Sequence, residues 1–173
     1  PYFPSLISSY KTPDTARGLS VSVDGSYAYV ADGSSGLQIL DISDPNSPAL
    51  VGFFNTDGNA SGVAVSGGYA YVADGVNGLR IIDISNPASP SEAGFCDTLG
   101  TAYGVAVNNS YAFVADGVNG LRIIDISTPA PNMSEAGYCI TSGTAYGVAV
   151  SGNYAYVAGD LSGLRVVNIS TPA

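Results

Sequence analysis

The chain has 173 residues, 46% of them hydrophobic and only 11% charged, and it carries a net charge of −9. That length predicts a single domain, and the apolar content excludes a disordered chain. The five cations, Lys11, Arg17, Arg80, Arg122 and Arg165, are too few for the basic stripe that displaces counterions from phosphates, which excludes a nucleic-acid binder and disfavours anionic membrane surfaces.

Other absences narrow the chemistry further. There is no His, so the commonest general base and metal ligand is missing, and two cysteines cannot build a disulfide framework. No apolar run approaches the roughly 20 residues that insert across a bilayer. The opening at Pro1 without Met reads as a processed or excised piece. Twenty-two Gly, twelve Tyr, a single Lys and many Ser, Thr and Asn suit a β protein that is extracellular or on a cell surface.

In chain order, the first β-type run is PSLISSYKT at 4–12, which returns as PALVGFFNT (48–56), PSEAGFCDT (90–98) and MSEAGYCIT (133–141). Next comes YAYVADG at 27–33, repeated at 69–75, then as YAFVADG at 111–117 and as YAYVAGD at 154–160. The opening Tyr residues stand 42, 42 and 43 positions apart, and 62–85 matches 104–127 at 20 of 24 positions. Such a period is the mark of a repeat architecture.

The third unit shows the anatomy of each. GVAV (104–107) alternates small and branched residues, and Asn108-Asn109-Ser110 makes a turn. YAFVA (111–115) follows, and Asp116-Gly117 opens a second turn. LRIIDI (121–126) is Ile-rich, as a strand buried on both faces should be. Pro residues in STPAPN then break the ladder before SEAGYCI (134–140) forms a fourth run. The last unit stops at GLRVVNISTPA (163–173), one run short.

Four short strands per unit of about 42 residues is the arithmetic of a propeller blade. The expected fold is all-β, a four-bladed β-propeller of four-stranded antiparallel blades over 16–56, 60–98, 102–141 and 145–169 plus 4–12. The N-terminal run completes the last blade, either by folding back onto 164–169 or by entering a neighbouring molecule as a donated strand. The first closes a ring, the second makes a head-to-tail assembly that is a filament unless the rotation closes, and a third reading is a piece cut from a longer propeller.

The pattern GVAVSGxYAYVADGxxGLRIIDIS, complete at 62–85 and 104–127 and drifted at 18–43 and 147–170, resembles the LVIVD repeats. The resemblance implies a propeller of the kind found in bacterial and archaeal secreted or surface proteins. It implies no enzyme activity, because the family carries no settled catalytic motif to transfer.

Several residues are candidate sites. Asp32, Asp74 and Asp116 open equivalent turns and form a candidate Ca²⁺ rim, although an Asp-Gly turn alone accounts for them. Arg17, Ser61, Tyr103 and Tyr146 are equivalent positions that vary beside invariant neighbours, at a mouth suited to a sugar or peptide. Arg80, Arg122 and Arg165 recur on one strand, with Asp41, Asp83 and Asp125 three residues on as expected ion partners. Cys96 and Cys139 lie in outer strands of adjacent blades, too far apart for a bridge, and read as buried thiols. Asn59, Asn108, Asn132 and Asn168 head glycosylation sequons. Taken together these features predict a non-enzymatic extracellular or cell-surface structural protein that self-associates, with a ligand-binding propeller (sugar, peptide or metal) as the alternative.

Overall fold

A computed structural model describes residues 3–129, 131 and 133–170. Among these described residues, fifteen strands form four antiparallel sheets in simple meander order. Blade one holds β1 (Gly18–Val21), β2 (Tyr27–Ala31), β3 (Leu37–Asp41) and β4 (Ala49–Phe54). Blade two holds β5 (Gly62–Ser66), β6 (Tyr69–Ala73), β7 (Leu79–Asp83) and β8 (Ser91–Cys96). Blade three holds β9 (Gly104–Asn108), β10 (Tyr111–Ala115), β11 (Leu121–Asp125) and β12 (Glu135–Cys139). Blade four has three strands, β13 (Ala145–Ser151), β14 (Tyr154–Gly159) and β15 (Leu164–Asn168).

The register follows the repeat. Tyr27, Tyr69 and Tyr111 each face the Asp that ends the next strand, Asp41, Asp83 and Asp125. Three blades carry an irregularity at the same point of the third-to-fourth strand ladder, after Ile39, Ile81 and Ile123. One extra residue there bends the outer strand and increases its twist.

Alternation within β6, β7 and their equivalents supplies two buried faces per blade. Ile82 and Val72 point to blade one, whereas Ile81 and Tyr71 point to blade three. Three apolar seams result, between blades one and two, two and three, and three and four. Each fully buried Ile or Leu in a seam contributes about 1.5–3 kcal/mol, so the blades stand by packing on one another rather than alone.

The inner strands approach so closely that only Gly fits. A Cβ at Gly18 would lie 2.8 Å from the Gly62 Cα, one at Gly62 would lie 3.0 Å from Gly104, and one at Gly104 would lie 3.2 Å from Gly147. At Gly147 the series stops, since its Cβ would meet only Ala158 at 3.9 Å. Strands β1, β5, β9 and β13 pack in succession, but β13 and β1 do not pack as those neighbours do. The four blades therefore form an arc that is open between the fourth and the first.

This openness corrects the expectation for residues 4–12. They form no strand on β15 within the chain; the segment lies along blade one, where the Ser8 hydroxyl donates to the Pro45 carbonyl at 2.6 Å. The physical reason is distance around the arc, because the free edge of blade four is not beside blade one.

Candidate functional site

The second and third strands of a blade are joined by an Asp-Gly-x-x-Gly turn. In blade one the Asp32 N–H donates to the Gly36 carbonyl at 2.8 Å, and Gly33 and Gly36 take φ of 56° and 70°. Those angles lie in the left-handed region that favours glycine. The turn aims the carboxylate inward, and Asp32, Asp74 and Asp116 are all fully buried.

Each carboxylate meets a threonine that ends the preceding outer segment. Thr12, Thr56 and Thr98 donate from Oγ1 to Asp32, Asp74 and Asp116 at 2.6, 2.5 and 2.6 Å. A clasp of this kind reaches from one unit into the turn of the next, and it leaves the three carboxylates spaced one per junction. Among the described residues no group of three or more His, Cys, Asp or Glu could hold a metal. Burial pushes Asp74 up to about 6, opposed by the hydrogen bonds from Thr56 and Asn77 and by nearby Arg80.

The arginines have different partners from those expected. Arg122 places Nη1 at 3.1 Å from Glu135 and Nε at 3.5 Å from Asp116, with its guanidinium 5.0 Å from the Tyr138 ring centre. Arg80 sits 3.5 Å from Glu92 and 3.6 Å from Asp97, over Phe95 at 4.7 Å. Residues three apart on a strand point to opposite faces, so Asp83 and Asp125 are out of reach. They and Asp41 instead accept the N–H groups of Ser85, Ser127 and Ser43 at 2.8–2.9 Å. Arg165 is exposed, as is Asn168 below it.

Blade four breaks the clasp. Its turn reads Gly159-Asp160, which puts a glycine where the buried carboxylate should be and moves the acid to the surface. The threonines themselves were legible as a recurrent Thr at 12, 56, 98 and 141. Nothing in the sequence signalled that they cross between blades.

The mouth positions stand directly before the inner strands. The carbonyls of Ser61 and Tyr103 lie close to Gly18 and Gly62, and that of Tyr146 lies close to Gly104, so the four residues follow one another along the arc. The structure brings two side chains together: the rings of Tyr103 and Tyr146 have centres 5.1 Å apart at 54°. The Ser61 hydroxyl donates locally to the Asn59 carbonyl at 3.2 Å, and Arg17 is exposed at the far end.

Cys96 is buried in the seam between blades two and three, and Cys139 packs at the next seam; both are free. Burial pushes the Cys96 thiol up. Asn59 and Asn168 are exposed and Asn108 is half-buried, whereas Asn132 lies outside the described residues. Asn168 Oδ1 accepts the Ser170 N–H at 2.9 Å, which occupies one side of that amide.

The LVIVD repeat model matches residues 17–56, 57–98, 99–141 and 142–173. The chain belongs to the LVIVD repeat family. Its four matched units are the four sheets, with the residues before 17 outside the first. None of the curated proteins matches it in sequence. Among solved structures, the computationally designed Ika4 protein is similar at a TM-score of 0.74 and 11% identity, over 98% of this chain and 100% of that one. The designed Ika8 protein gives 0.73 and 9%, over 91% of this chain and 47% of that one. Hydrazine synthase of Kuenenia stuttgartiensis gives 0.77 and 17%, over 95% and 49%. The LVIVD-repeat chain thus spans about half the length of the last two.

One apolar sheet face of this LVIVD-repeat arc, on blade four, lacks a partner, and on blade one the inner strand is uncovered. On blade four, Leu164 and Val166 are 65% and 57% exposed, whereas the equivalent Leu79 and Ile81 are fully buried. On blade one, Leu19 is 64% exposed, whereas the equivalent Val63 is 8% exposed. Behind Leu19, Ala28, Val30 and Leu40 are buried and pack with Ile42 as a cluster of their own. Tyr10 and Thr12 line a hollow of about 260 Å³ over this cluster, together with Leu19 and Leu40.

Proposed function

We propose that this LVIVD-repeat propeller is a non-enzymatic structural or interaction module that works outside the cell or on its surface, and that it associates with itself head to tail. The observation that carries the reading is the uncovered apolar face of blade four, together with the exposed Leu19 and Val21 at the other end of the arc. Faces of that kind mark interaction sites on soluble proteins. The acidic, Lys-poor, Tyr- and Ser-rich composition supports an extracellular setting, and the exposed sequons at Asn59 and Asn168 suit a glycosylated surface. The buried acids are taken up in structure, clasped by threonine, which supports a role without catalysis.

Sedimentation velocity across a hundredfold range of protein concentration tests the reading. Mass above that of one chain, growing with concentration, is expected. A single 17.4 kDa species at every concentration would overturn self-association.

The tilted pair of Tyr103 and Tyr146 favours a second reading, a ligand site at the mouth for a sugar or peptide that stacks on the rings. Oligosaccharide array binding that survives replacement of both residues by Ala would remove it.

A further inference from the structure

We infer that two copies of this chain close into one ring, with the fourth blade of each seated on the first blade of the other. The inference rests on the self-association proposed above and specifies its geometry. Three internal seams already show the interface that is missing. In each, a face like that of Leu79 and Ile81 covers a face like that of Val63 and Ile82. The uncovered face of blade four is of the first kind, and the face of blade one, exposed at Leu19 and Val21 and buried at Val30 and Leu40, is of the second.

The ends also differ from the repeat in a matched way. In the three seams, Gly33, Gly75 and Gly117 exchange backbone hydrogen bonds with Ala60, Ala102 and Ala145. Carried to the open ends, that pairing sets Asp160 opposite Ala16, beside Arg17. Asp160 replaces the Gly of the other blades, and Arg17 replaces Ser61, Tyr103 or Tyr146. Both are exposed, so the two departures from the repeat are opposite charges that meet only at this junction.

The outer strand of the last blade is waiting at the same place. Thr12 already clasps Asp32 as Thr56 clasps Asp74, so residues 4–12 of each chain lie where a preceding blade's outer strand belongs. Docking the second copy's blade four there brings its β15 edge beside residues 5–10. The pairing adds a fourth strand and satisfies the open edge of β15 in each chain. Two copies match the span of a longer chain of this fold, since this chain covers 47% of the designed Ika8 protein.

Light scattering with electron microscopy of the same sample tests this, using the full chain and two charge variants. The expected result is closed particles of two chains. D160R should weaken the dimer at least about tenfold through the like charge of Arg17, and the double variant R17D/D160R should restore it. Restoration also shows that D160R folds. Filaments would overturn the closed ring while leaving self-association standing; single chains throughout would overturn both. A dimer indifferent to D160R would overturn this interface and leave self-association in place.

Discussion

Asp74 shows what a buried acid does to this fold. Its ordinary value in an unfolded chain is about 3.9, and in the fold it is raised to about 6, chiefly by burial. Between those values the folded chain holds a proton that the unfolded chain has released. The group's contribution is therefore full below about pH 4 and is lost as pH rises through 6. The difference is on the order of 3 kcal/mol. Asp74→Asn keeps an oxygen to accept from Thr56 and cannot ionise. Urea unfolding should show the variant gaining stability over the parent at pH 7.5, with little gain at pH 4. Parallel pH profiles for the two proteins would refute the account.

At the scale of the strand, close approach and paired charge make separate demands. Gly62→Ala forces a Cβ to 2.9 Å from the Tyr103 carbonyl oxygen, which should cost about 1–3 kcal/mol in thermal unfolding. Gly147→Ala meets only Ala158 at 3.9 Å and should leave the fold of a single chain within about 0.5 kcal/mol. Equal losses at the two positions would mean that the arc is closed. The arginines sort by burial. Removing Arg122 by Ala strands the buried Asp116 and should cost about 3–5 kcal/mol. Arg80→Ala loses the exposed partners Glu92 and Asp97 and the longer-range attraction to Asp74, and should cost less than the Arg122 change. A reversed order in urea titrations would count against this. Strand identities were readable because Pro, Gly and a fixed period punctuate them. The arginine partners were not, because spacing along a strand says nothing of which outer-strand acid lies across from it.

Taken whole, the molecule is protected from its middle outwards. Amides of β7 and β11 have paired neighbours on both sides and buried faces, whereas β15 has one paired neighbour and exposed Leu164 and Val166. Hydrogen exchange in dilute protein should be slowest in the former and fastest among strands in β15, and protection of β15 should rise with concentration. Uniform exchange over the four blades would contradict the open arc. The blade count, strand order and missing last strand were legible from the 42-residue period alone. The open gap was not, because a repeat fixes what each unit does to its neighbour but leaves the angle between units to side-chain packing. Arg17, Ser61, Tyr103 and Tyr146 follow one another along the arc, but their repeat spacing gave no sign that the rings of Tyr103 and Tyr146 pack together.

The threonine clasp has a bearing on how such a chain changes length over generations. Because donor and acceptor belong to successive units, gaining or losing any window of one full period leaves each remaining Asp with a Thr to meet. Stretches as alike as 62–85 and 104–127 invite unequal recombination in their genes. Its products would differ in size by whole units while every joint stayed familiar.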